Sequence, residues 1–545
     1  MTLDGFLTVL ALAAAIYAVL SPVQRQRVSL TWRPQLLLAL PVLVLILGFE
    51  LYDWSPPACP VVLGDICSVL ILGGAETEVA RKFAFLLAFA WLFGAVTIQA
   101  VVKPTLSSVP AFTEVATALI DEEQYGDALK LVEPQIGLLA RASRRKCFRQ
   151  RMRDWLEEFG PTPEHSFRRY LRRSGPRRHS GENWPDWAAV PVRWLARFVP
   201  AGRRGERAAG DLFQLLMSSP QLFDYIVSRR PYFALGLVRE QVYGGADFLE
   251  RFLGELMRRP GSALYQEVAT NDNSDGLVGY HLPARNRILH FLFADAKVAE
   301  ELSAWQGVGD YLKRLLSGDE RPDYWVWLNG RPDWFERDQM RDPTYVGMFF
   351  FDIMVSSAAK QGVGYHMWLY YFTSFGEMLE RGYDSSAAGI DRTAEFPSRA
   401  ARLLYELVSH LTAWVGMLRH LPEGAVHRGV PDRPDYPATI PFAAAQALGR
   451  VLAVAVMSQK VDDGVIQTLH DVAIRTIKEL HPDEGDRSAL RSYLINALLS
   501  GGGRKSEPGY LTRLAKLLDR NDDLIEYEIP DYVAALNSRI EGTDR

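Results

Sequence analysis

The chain is poor in cysteine, with three in 545 residues and no CxxC pair, so neither a paired-thiolate zinc site nor a dense disulfide framework organises it. Signatures of familiar enzymes are missing as well: no GxSxG elbow, HExxH pair or GxGxxG turn occurs. Gly501-Gly502-Gly503-Arg504-Lys505-Ser506 imitates a phosphate loop. Arg504 stands where the glycine before the lysine must be, and a helical pattern precedes it where a strand belongs. Familiar hydrolases, nucleoside-triphosphatases, zinc enzymes and dinucleotide-dependent enzymes are therefore unsupported, and no cofactor is implied. Sustained alternation of apolar and polar residues is scarce, which removes the main signal for strands. Lysine is scarce too, 11 of 61 basic residues, an arginine bias that suggests a GC-rich bacterial source.

What the chain has is apolar length at its start. Residues 3–20, 36–52 and 83–102 form three runs of roughly the 17 to 25 residues that an α-helix needs to cross a hydrocarbon core of about 30 Å. The chain opens Met-Thr-Leu-Asp-Gly, without the basic stretch of a cleaved secretory signal, so the first run reads as a retained anchor. Arg25, Arg27 and Arg33 follow the first run and Lys103 the third, whereas Arg81 and Lys82 lie on the opposite side. This bias places the N-terminus outside and the large remainder in the cytoplasm of a bacterium, beneath its inner membrane. Cys59 and Cys67 fall in the loop assigned to the outside, where an oxidising compartment lets them pair. Cys147 is then a lone reduced thiol.

From Arg141 to Arg207 there are 18 Lys or Arg against seven Asp or Glu, an excess of 11 positive charges in a chain whose net charge is −4. Arg144, Arg145 and Lys146 form one cluster and Arg168, Arg169, Arg172 and Arg173 another. Next to a membrane such clusters suit anionic lipid or a protein partner; nucleic acid would be attracted by the same charge, but no reader motif supports it. A solvated helical face is the plain alternative. Just before this stretch, Ala118, Leu119, Tyr125, Ala128, Leu129 and Leu131, with Pro134 after them, resemble the helical hairpin of a tetratricopeptide repeat. The resemblance covers fewer than 30 residues, lacks that family's Trp and Gly signature and has no second copy, so it implies a hairpin and not a solenoid.

Beyond residue 210 the apolar period is near 3.6, as in Ala401, Leu404, Leu407, Val408, Leu411 and Val415, and Pro or Gly punctuates the segments. The reading is an all-α protein: three transmembrane helices over residues 1–103, a hairpin and basic region over 104–210, a main helical domain over 211–421 and a C-terminal helical subdomain over 422–545. The apolar segments 345–379 and 440–457 read as buried core helices, because Asp352, Lys360 and Glu377 interrupt the first and Arg450 the second.

The densest polar constellation is Asn271 to Gly276 followed by His281, Arg285 and His290. An EF-hand is rejected, since Leu282 occupies the position of the bidentate glutamate, and no metal site is expected. If the chain is an enzyme, Asp272, Asp275, His281 and Arg285 are the candidate catalytic residues of a membrane-tethered hydrolase or transferase; an Asx-rich turn is the structural alternative. Asp352 amid Phe349, Phe350, Phe351 and Ile353 would have a raised pKa if buried alone, and His366 reads as a core or edge histidine. Arg321-Pro322-Asp323-Tyr324-Trp325 and Arg331-Pro332-Asp333-Trp334-Phe335 duplicate a motif, and Trp325, Trp327 and Trp334 form a candidate aromatic platform, or simply pack on the body.

The leading functional expectation is an inner-membrane-anchored helical module for protein interaction or sensing, with lipid and a protein partner or a second copy as partners. The enzymatic alternative uses the 271–290 site. A third alternative is a pore gated by the soluble body, for which Gln99 is the clearest intramembrane polar residue.

Overall fold

The computed structural model describes residues 108–144, 204–240, 244–271, 279–332, 339–364, 369–386, 390–431, 439–481, 485–503, 509–520 and 525–543, with scattered positions between 40 and 94. Among them every regular element is a helix, as the 3.6 period requires, and none is a strand. Backbone contacts divide the chain into residues 1–225 and 226–545.

In the first unit α1 (Val109–Asp121), α2 (Tyr125–Val132) and, after a single 3-10 turn at Glu133–Gln135, α3 (Ile136–Arg144) precede α4 (Arg204–Ser218). The first two are the hairpin expected from the tetratricopeptide-like spacing, turned at Glu123, whose φ of 59° lies in the left-handed region. Helix α4 lies against α1 and α3 and closes a small core of Phe112, Leu119, Leu129, Leu139, Leu212 and Leu216. Within the expected spans 36–52 and 83–102 the described positions are helical; span 3–20 and the rest of those two lie outside the described residues. So do Cys59 and Cys67 and, of the basic clusters, all but Arg144, which is exposed at the end of α3.

The boundary between the units falls inside α5 (Pro220–Arg229). The second unit continues through α6 (Pro231–Arg239), α7 (Gly245–Arg258), α8 (Ala263–Thr270), α9 (Arg287–Phe293), α10 (Ala296–Glu301), α11 (Trp305–Ser317), α12 (Tyr324–Leu328) and α13 (Pro343–Gln361). It then runs through α14 (Leu369–Gly382), α15 (Arg399–Gly416), α16 (Ile440–Met457), α17 (Asp463–Glu479), α18 (Gly485–Ser500), α19 (Tyr510–Leu518), α20 (Ile525–Glu528) and α21 (Pro530–Thr543). Starts are set by local chemistry. Asp342 accepts from the Thr344 N–H at 3.0 Å ahead of α13, and Ser398 accepts from Ala401 N–H at 3.2 Å ahead of α15. Gly318 and Gly362, both left-handed, end α11 and α13.

Two helices are apolar on nearly every side and therefore sit inside. Helix α13 buries Val346, Met348, Phe350, Phe351, Ile353 and Val355 completely, and each such side chain contributes roughly 1.5–3 kcal/mol. Helix α16, with a mean hydropathy of 1.7 over 18 residues, is long and apolar enough to cross a membrane. It is wrapped by α14, α15 and α18, and 67% of its residues are buried in this unit, as expected of a core helix. Close approach to α18 depends on Gly449, where a β-carbon would lie 2.3 Å from the Ala497 carbonyl oxygen. Helices α15, α16 and α17 pack together across the connection 422–441, so that Pro- and Gly-rich stretch lies within one compact unit.

Candidate functional site

Helices α13, α15 and α17 leave between them an open cavity of about 400 Å³. Its lining includes Tyr280, Asp352 and Ser356, then Tyr405, Ser409, Thr412 and Trp414 of α15, Arg419 and His420 of the turn after it, and Arg475, Thr476 and Glu479 of α17. Each helix contributes residues three or four apart, which is how one face of a helix is presented.

Asp352 is the polar centre of the floor. Phe349, Phe350 and Phe351 precede it, and 13% of its side chain is exposed. The Tyr280 hydroxyl donates to Oδ2, the Trp414 indole N–H donates to Oδ1 at 2.6 Å, and His410 Nδ1 stands 3.7 Å from Oδ2. Burial alone would raise this acid. The His410 charge and close contact, with the Tyr280 and Trp414 hydrogen bonds, overcome it and hold the carboxyl below its usual range. His410 is the mirror case: burial pushes it down, and the charge of Asp352 in contact with it, with that of Glu406, more than restores it, so the imidazole is raised. Phe372 packs edge-on against Trp414 at 4.5 Å between ring centroids and fixes the donor. Asp352 is thus not buried alone, and its partners hold it below the usual carboxylate range.

At the mouth Arg419 pairs with Glu479 at 3.0 Å, and its Nε–H donates to His420 Nε2 at 2.9 Å. Accepting that bond keeps His420 neutral; burial and the Arg419 and Arg487 charges lower its pKa.

Of the 271–290 constellation, Tyr280 and Gly279 reach this cavity. His281 and Arg285 are exposed and outside its lining, while Asp272 and Asp275 lie outside the described residues, as does His366. Glu267 is a second buried carboxylate the sequence does not signal: its Oε2 accepts the Ile288 and Leu289 N–H groups at 2.8 and 3.0 Å, at the start of α9. Burial raises it to about 7 against the lowering by those amides.

The expected aromatic platform divides. Trp325 is half-buried, its indole donating to the Leu316 carbonyl at 3.0 Å and its ring filling the space where Gly382 has no side chain. Trp327 stacks on Tyr324 and is covered by the Arg399 guanidinium at 4.6 Å. Trp334 lies outside the described residues. No group of three or more His, Cys, Asp or Glu placed to hold a metal occurs among the described residues.

Tyr280, His410, Trp414, Arg419, Arg475 and Glu479 carry no sequence motif. The i, i+4 spacing of His410 and Trp414 on one helix is the single signal available beforehand. No family model, curated protein or solved structure matches the chain.

Proposed function

We propose that this protein is a membrane-anchored helical module that acts by binding, as an interaction or sensing subunit of a larger assembly, with its large body on the cytoplasmic side of a bacterial inner membrane. The observation that carries the binding half of this reading is the commitment of the cavity's acids. Asp352 accepts from Tyr280 and Trp414 with His410 3.7 Å away, so the cavity's buried carboxylate is engaged in holding the fold, and Glu479 Oε2 is taken by Arg419. A general base needs a lone pair facing the proton it removes.

The anchor half is supported by exposed apolar side chains on helical backbone within the N-terminal runs. Leu40, Val44, Leu45, Phe89 and Phe93 all face outward there, with Phe93 68% exposed. Lipid covers such a surface at no cost, whereas water does not.

Alkaline carbonate washing of membranes from cells making the chain should leave it in the pellet. The detergent-solubilised chain should migrate on native gels as an oligomer or with a partner. A chain that washes off, or one that is monomeric and turns a substrate over, overturns this reading.

A further inference from the structure

Sorting the cavity's polar groups by what already satisfies them specifies the ligand. The charged groups are largely engaged: Asp352 accepts from Tyr280 and Trp414 with His410 3.7 Å away, Glu479 Oε2 accepts from Arg419, and His420 Nε2 accepts from the Arg419 Nε–H. Arg475 is exposed at the cavity wall and pairs with no carboxylate among the described residues, and the Ser409 and Tyr405 hydroxyls make no hydrogen bond among them either.

The charge agrees. Among the described lining residues Asp352 faces His410, Arg419 is matched by Glu479, and Arg475 remains. The C-terminal ends of α15 and α17 bring partial negative charge of about half a unit each toward the same mouth, falling off within a turn. A cavity of about 400 Å³ falls at the small end of the range for small-molecule sites.

We propose that this cavity binds a small organic anion, its phosphate or carboxylate group held by Arg475 and its other oxygens accepting from Ser409 and Tyr405. The ligand is anionic because the spare charge on the wall is the Arg475 guanidinium, and it is of metabolite size because the cavity measures about 400 Å³. The inference rests on the body being a binding module and gives that module its effector class; it does not depend on the membrane anchor.

Isothermal titration of the full solubilised chain at pH 7 tests it, with pyrophosphate as the phosphate probe and citrate as the carboxylate probe. At least one should bind saturably below about 10 mM, and the stronger of the two identifies the anionic group. Arg475→Ala should weaken that binding about tenfold or more, the usual effect of removing a charge-assisted contact. Arg475→Gln replaces it should the alanine variant fail to fold. Arg520→Ala, a surface arginine outside the lining, should bind as the parent does. Absence of binding by either probe, equal binding by the Arg475 variants, or equal weakening in Arg520→Ala overturns the proposal. Failure here with membrane retention and assembly intact removes the ligand and leaves the proposed function standing.

Discussion

The carboxylate of Asp352 in α13 and the imidazole of His410 in α15 form an ion pair between two core helices, with Nδ1 3.7 Å from Oδ2. Tyr280 and Trp414 complete the donors around that carboxylate, so one acid ties the segment entering from residue 279 and two helices to a single point. Removing it leaves the Tyr280 and Trp414 donors unsatisfied and takes away the charge that holds the His410 imidazole above its ordinary value. Asp352→Ala should therefore cost about 3–5 kcal/mol of unfolding free energy, read by urea denaturation of the solubilised chain.

The same pair sets a pH window. His410 is raised above its ordinary value of 6.5, so its contribution is full below that value and is lost as pH rises through the folded pKa. Asp352 is lowered below 3.8, so its contribution is present above that value and is lost as pH falls through the folded pKa. The pair stabilises most between about pH 4 and 6.5. The stability difference between the parent and His410→Gln should be largest in that interval and shrink toward alkaline pH; a difference that grows with pH contradicts the assignment.

Glu267 has the opposite standing, since its folded pKa of about 7 exceeds the ordinary 4.5. The protonated form is favoured in the fold, and stability from this group declines as pH rises from 4.5 to 7. Glu267→Gln keeps an oxygen for the Ile288 and Leu289 amides without the buried charge. It should raise stability at pH 8 by up to about 3 kcal/mol and change little at pH 4, measured as unfolding midpoints at both values.

Arg491 is buried to 4% exposure and forms two 2.7 Å contacts with Asp531 at the start of α21, donating also to the Ile477 and Leu480 carbonyls that end α17. One guanidinium thus caps one helix and pairs with the first turn of another, a geometry lysine cannot reproduce. Arg491→Ala should destabilise by about 3–5 kcal/mol, and Arg491→Lys should recover less than half of that in the same denaturation assay.

Gly449 is the contact point of α16 with α18. Because its neighbour is a carbonyl oxygen and not a flexible side-chain end, Gly449→Ala must push the helices apart and should cost about 1–3 kcal/mol despite alanine's better helix propensity. A thermal midpoint equal to the parent's would show that the helices separate freely.

The glycine run at 501–503 shows how far pattern reading reaches. Its failure as a phosphate loop is visible in Arg504; its structural use is not. Gly502 donates to Ala497 O at 2.8 Å with a left-handed φ of 70° and lies against Gln446 O, ending α18 where it meets α16. Likewise the apolar stripe from Ala401 to Val415 predicts α15 and its buried face, but it says nothing of the acid that His410 and Trp414 of that helix meet.

The amino-acid sequence by itself determined the helical class, the hairpin at residues 109–132 and the core placement of α13 and α16, because helix period, caps and apolar faces are properties of neighbouring residues. Tertiary structure alone decided that Asp352 is ionised and paired, and that Tyr280 reaches the cavity while His281 and Arg285 remain outside its lining. It also decided that the Arg475 guanidinium and the Ser409 and Tyr405 hydroxyls meet in one cavity. These are relations between residues far apart in the chain, whose charges and hydrogen bonds exist only once α13, α15 and α17 are packed.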